Sequence, residues 1–191
     1  VNQIGNFDTG IPETTFRKEI AELYIRYGQP EEALKEYIIL IKKEPKVAEH
    51  YFNAGKLFEE RNKAANAFKY YKKAAELNPN HAETHFRLGL ILYRSKKPVE
   101  AKSELEKSLK LNPSHYKAYY YLGKLQKESN DYTGALLSYE KAQKDPEFKP
   151  KALIERGTCY MNMQNPDKAT VEFERAIRVS TDESSTDILY A

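Results

Sequence analysis

The residues of this chain with chemical potential are few and poorly placed for catalysis. Cys159 is the only cysteine, so no disulfide can close within the chain, and it reads as a buried, inert thiol. His81 and His85 stand four apart, a spacing that puts two imidazoles on one helical face, as a metal pair would need. Yet His81 ends a turn after Asn78-Pro79, and His85 falls on a packing position of a repeating pattern. His50 and His115 lie near turns and have no cysteine or acidic companions at ligand spacing, so no metal site is expected. Glu31-Glu32 and Glu59-Glu60 are paired carboxylates, but acid–base catalysis needs a closed, partly dry pocket, and these pairs read as solvated faces. No glycine-rich phosphate loop appears. Met161 and Met163 read as gap-fillers or groove lining. The expectation is a protein that is not an enzyme and takes no cofactor.

Composition points the same way. Of the 191 residues, 40% are apolar and 31% charged, a balance that suits an elongated repeat protein better than a compact globule. The net charge of +3, carried by 23 Lys and only eight Arg, argues against a nucleic-acid partner, because Arg supplies the phosphate-gripping fork. The Lys bias hints at an AT-rich bacterial genome. No segment approaches the roughly 18 apolar residues of a membrane helix, and no signal peptide opens the chain as given, so no membrane insertion is expected.

The elements that position these residues follow a clock. Ala33, Ala67, Ala101, Ala135 and Ala169 recur every 34 residues, and Gly55, Gly89, Gly123 and Gly157 keep the same period, with Ala21 in the equivalent place of the first unit. Tyr37, Tyr71, Leu105, Tyr139 and Phe173 follow each alanine by four residues, and Pro45, Pro79 and Pro113 end the first three units. Such self-similarity marks a repeat array. Within one unit, Tyr51, Ala54, Gly55 and Phe58 form one stripe of a helix, and Ala67, Tyr71 and Ala74 form the stripe of a second. Glycine inside a helix costs about 1 kcal/mol against alanine, so four in register imply close helix approach, with a large side chain filling the adjoining gap.

This pattern resembles the tetratricopeptide repeat, a 34-residue helix–turn–helix. The resemblance implies an all-α, right-handed superhelical solenoid of five repeats, at 14–47, 48–81, 82–115, 116–149 and 150–183. Residues 1–13 read as a tail or linker, with Pro12 suited to the N1 region of the first helix. Residues 184–191 read as the truncated start of a sixth repeat, with Tyr190 and Ala191 at its positions 7 and 8, which suggests a fragment of a longer assembly protein. Departures from the pattern are local. Position 32 is Glu147 in the fourth repeat, with Pro146 one residue early, and Thr181 in the fifth; Gln126 replaces a ring and suggests a looser junction.

The resemblance also implies that the first helices line a concave face through positions 2, 5, 6, 9, 12 and 13. In the first two repeats these positions carry three basic and five acidic groups; in the last three they carry six basic and three acidic. The partner-binding strip is therefore expected at Phe86, Arg87, Leu90, Tyr93, Arg94, Lys117, Tyr120, Tyr121, Lys124, Ile154 and Met161, where rings interleave with cations. Such a strip suits another protein, or an acidic, partly apolar peptide segment. A carboxylate clamp known in one subfamily of these repeats would fall on Lys18, Glu22, Asn53, Glu83 and Arg87; there Glu22 and Glu83 would repel an incoming carboxylate, so that mode is rejected. The leading reading is a protein-interaction scaffold. The alternatives are an RNA-binding helical repeat and a regulatory domain of a larger enzyme. The resemblance also implies kinship with bacterial repeats that organise envelope machinery.

Overall fold

The protein is described by a computed structural model over residues 12–188, with side chains over 12–180. The expected tail lies outside the described residues as far as Ile11, as do Tyr190 and Ala191. Among the described residues there are ten α-helices and no strand. They form two compact units that divide between Asn80 and His81. Unit 1 holds α1 (Glu13–Arg26), α2 (Pro30–Lys43), α3 (Ala48–Glu60) and α4 (Ala64–Leu77). Unit 2 holds α5 (Ala82–Arg94), α6 (Pro98–Leu111), α7 (Tyr116–Glu128), α8 (Tyr132–Ala142), α9 (Lys149–Asn162) and α10 (Pro166–Ile188).

Each repeat is a helix pair, closed by alanine (Ala21) in the first and by glycine in the four that follow. A β-carbon on Gly55 would sit 2.7 Å from the Tyr71 ring, and on Gly123 2.7 Å from the Tyr139 ring. At Gly89 the neighbour is Leu105 Cγ at 2.9 Å, and at Gly157 it is the Phe173 ring at 2.4 Å. The alanines on the same clock, Ala33, Ala67, Ala101, Ala135 and Ala169, are no more than 1% exposed. In unit 1 the core gathers Leu34, Tyr37 and Leu40 of α2 against Ala54 and Leu57 of α3, so the first helix of one repeat seals the second helix of the one before.

The turn inside each pair keeps the same period. Gly28, Asn62, Lys96, Asn130 and Gln164 all have positive φ, between 56° and 69°. Each follows a helix end in a Schellman arrangement. The next residue's N–H reaches back five residues, as Gln29 N to Tyr24 O at 2.8 Å and Lys97 N to Leu92 O at 3.0 Å.

Three sequence expectations are corrected. Pro12 is the N-cap of α1, with ψ 141°, and the helix starts at Glu13, so the proline precedes N1. No new helix begins at Ser184: α10 runs unbroken from Pro166 to Ile188, because Thr181 stands where proline ends the second helix in the first three repeats. Gln126 does not loosen its pair, since its Oε1 accepts a hydrogen bond from Ser138 Oγ at 2.6 Å.

Candidate partner-binding site

The expected strip lies wholly within unit 2, on α5, α7 and α9. Its centre is Tyr121, a partly exposed ring on α7. Four rings approach it: Tyr120 at 5.5 Å between centroids, Tyr93 at 5.7 Å, Phe86 at 6.1 Å and Phe148 at 6.5 Å. Tyr120 in turn meets Phe148 edge-on at 4.9 Å and Tyr139 at 5.9 Å. Tilted and edge-on contacts at such distances are the favoured aromatic geometries, each adding about 0.5–1.5 kcal/mol beyond area burial. The rings therefore form a preorganised wall.

Two members of the expected strip are not part of its surface. Phe86 is 4% exposed and packs on the His115 ring at 4.5 Å, and Leu90 is 5% exposed. Both belong to the core that the repeats bury, although the family's register places them on the concave face. Tyr93, Tyr120 and Tyr121 remain partly exposed, and Arg94, Ile154 and Met161 are exposed. Burial pushes the Tyr120 phenol up to about 12. Tyr93 is raised further, first by burial and then by its hydroxyl's 2.8 Å hydrogen bond to Glu128.

Phe148 escaped the sequence reading because its repeat position carries Lys46, Asn80 and Ser114 elsewhere, all exposed turn residues. In the fourth repeat α8 stops at Ala142, while α2, α4 and α6 each run for 14 residues. The chain then turns through Asp145-Pro146, and Phe148 folds inward to 6% exposure. The early Pro146 was the one signal of this.

The cations are bound internally. Arg87 Nε donates to Glu83 at 2.6 Å. Lys117 donates to Glu147 at 3.0 Å, which raises the lysine and holds the carboxyl below its usual range. Glu155 takes Lys127 in a short contact and lies 3.8 Å from Lys124. The basic surplus counted along the helices is thus reduced by Glu147, a turn residue outside that count. Lys151 and Lys117 also sit over the Phe148 ring, at 4.9 and 5.6 Å.

The other candidates are engaged elsewhere. His81 Nδ1 meets Thr84 Oγ1 at 2.6 Å and His85 Nδ1 meets Glu104 at 2.7 Å, so the i, i+4 pair points to two different partners. His50 meets Glu44 at 2.7 Å, and His115 meets Ser108 at 2.9 Å. Among the described residues no group of three or more His, Cys, Asp or Glu is placed to hold a metal. Cys159 is wholly buried, and burial pushes its thiol up to about 11. No helix among the described residues is long and apolar enough to cross a membrane.

Sequence profiles described as tetratricopeptide repeat match residues 19–82, 82–115, 104–136 and 150–183. No curated protein matches the chain. Among solved structures, MamA from Desulfovibrio magneticus RS-1 aligns with a TM-score of 0.80 at 23% identity, over 88% of this chain and 96% of that one. YrrB, described as a TPR protein with an unusual peptide-binding site, gives 0.75 at 20% identity, over 87% of this chain and 86% of that one. PilF of Pseudomonas aeruginosa gives 0.74 at 20% identity, over 87% and 76%. At these identities the likeness is one of fold.

Proposed function

Because this chain belongs to the tetratricopeptide repeat family, a family of protein-interaction scaffolds, we propose that its second unit holds a partner segment against the aromatic wall of α5 and α7. The observation that carries this reading is Tyr121: four rings fix it, yet it stays partly open to solvent. A rigid amphipathic ring loses little entropy when a partner covers it, which is why such rings anchor interfaces. The fitting ligand is a peptide segment with one large apolar side chain for the Tyr93–Tyr120–Tyr121 wall and a flanking carboxylate. That carboxylate exchanges with Glu147 or Glu155 for a lysine already in place, so the gain from charge is modest and the ring contact supplies most of the affinity.

The test is selection from a displayed library of short peptides, each with one large apolar residue flanked by Asp or Glu, followed by titration of the winners. Tyr121→Ala and Arg94→Ala should each weaken capture by about 1–3 kcal/mol while the helical circular dichroism persists. Glu31→Ala and Lys73→Ala, on second helices of unit 1, should change it by less than about 0.5 kcal/mol. Peptides that lose affinity only with the unit 1 variants would move the function off the wall. Affinity for RNA that falls steeply with salt, in place of peptide capture, would favour a nucleic-acid reading.

A further inference from the structure

The first helix of unit 1 exposes positions that α3 and α7 bury. Its Phe16, Ile20 and Leu23 are 40%, 41% and 44% exposed. One repeat later the same positions are His50, Ala54 and Leu57, and three repeats later Ala118, Leu122 and Leu125, none above 8%. Ala54 and Leu57 are covered by Leu34, Tyr37 and Leu40 on the second helix of the preceding repeat. These positions therefore face a neighbouring helix wherever the array provides one. In α1 they carry three large apolar side chains. Tyr27, 74% exposed, extends the stripe.

The steps from Phe16 to Ile20, Leu23 and Tyr27 are four, three and four residues, the spacing of a two-helix seam. The seam is also self-complementary. In an antiparallel pair about a two-fold axis, Phe16 falls opposite the second copy's Tyr27, and Ile20 opposite the second copy's Leu23. The same axis brings Glu19, on one edge of the stripe, beside the second copy's Arg26, and repeats that contact in reverse. Neither Glu19 nor Arg26 has an ionic partner among the described residues, whereas Glu13, Arg17 and Lys18 on the same helix are all paired within unit 1. A closed two-fold contact uses one patch twice and needs no second surface.

From this register we infer that α1 is a homodimerisation helix, and that its occupant is the α1 of a second copy of this chain in antiparallel orientation. The proposal is independent of the aromatic wall in unit 2, and either stands if the other fails. The experiment is sedimentation equilibrium of the full chain up to about 100 μM, a range that detects micromolar association. A dimer is expected. Ile20→Glu, on an exposed position, should raise its dissociation constant at least about tenfold with the helical circular dichroism unchanged. Glu19→Arg alone and Arg26→Glu alone each place like charges in contact and should weaken the dimer; the double swap Glu19→Arg/Arg26→Glu should restore it. A chain that stays monomeric at every concentration overturns the proposal, whether residues 1–11 of the same chain or another protein covers α1. So does a dimer indifferent to Ile20→Glu, or one that the double swap leaves weak.

Discussion

Replacing Gly123 with leucine tests the packing that positions the aromatic wall. A β-carbon there would lie 2.7, 2.9 and 3.0 Å from three atoms of the Tyr139 ring, where ordinary carbon contacts need about 3.5–4.0 Å. The ring cannot retreat: Tyr139 is fully buried, with Tyr120 at 5.9 Å. Alanine at this site gains about 1 kcal/mol of helix propensity but meets the same clash, so its net effect is a loss of about 0–2 kcal/mol. Leucine adds three more carbons along the same line and must part α7 from α8, which puts it at about 3 kcal/mol or more. For a chain of this length, each kcal/mol moves the melting temperature by about 2–4 °C, so the leucine variant should melt about 6–12 °C lower. Gly89→Leu should lose a similar amount, because Leu105, with Cγ at 2.9 Å, is fully buried as well and the Ala101 carbonyl oxygen lies at 3.3 Å. Thermal melts followed by circular dichroism measure all three. A Gly123→Leu variant that melts with the parent chain would refute the close-approach argument.

Two further expectations concern the turns and the pH profile. Lys96 holds φ 58°, a left-handed conformation that costs a side-chain-bearing residue about 1–2 kcal/mol, so Lys96→Gly should stabilise the chain by up to about 1 kcal/mol after the glycine's own entropy loss; a urea midpoint that falls contradicts this. His115 is held below its ordinary 6.5 by burial, with Arg87 and Lys117 adding to the depression and Glu83 opposing it. The folded state therefore favours neutral His115, and its contribution is complete above about pH 6.5 and drains away as pH falls below that value. His115→Gln should flatten the fall in melting temperature between about pH 6.5 and 5, and an unchanged slope would remove His115 as the cause.

How much of this was legible in the sequence depends on what each position has to satisfy. The helix pairs were legible because Gly123 and Tyr139 solve one steric problem that recurs every 34 residues, and recurrence exposes the solution. The left-handed turn residues recur with the same period and yet were hidden. Gly28, Asn62 and Asn130 are types that tolerate positive φ, but Lys96 and Gln164 are not, so residue identity breaks the pattern that the backbone keeps. Phe86 and Leu90 were misplaced for a related reason. The repeat register says which way a Cβ points, but burial depends on what the next helix brings, and here α7 and the His115 ring close over that face. The extension of α10 was marked by the missing proline at Thr181, a signal weaker than the 34-residue count that argued for a turn.

The deviations from the repeat fall where the candidate site lies. Three features set the fourth repeat apart: a second helix that stops at Ala142, a proline one residue early at Pro146, and Glu147 where the first three repeats have proline. Each contributes to the wall. The short helix and early proline turn Phe148 inward against Tyr120 and Tyr121, and Glu147 then meets Lys117 at 3.0 Å and Lys151 at 3.6 Å. A packing code shared by all repeats cannot distinguish one surface from another, so a specific surface must be written where one repeat breaks it. Restoring the break tests this directly. Phe148→Ser gives the fourth repeat the residue that Ser114 supplies in the third, at a position where none of the first three repeats carries a ring. Losing two ring contacts of about 0.5–1.5 kcal/mol each would loosen Tyr120 and Tyr121 by about 1–3 kcal/mol. Hydrogen exchange should then rise in α7, and peptide capture should fall with it, while the α5–α6 pair keeps its protection. If capture survives Phe148→Ser with α7 loosened, the wall's rigidity is not what holds the partner.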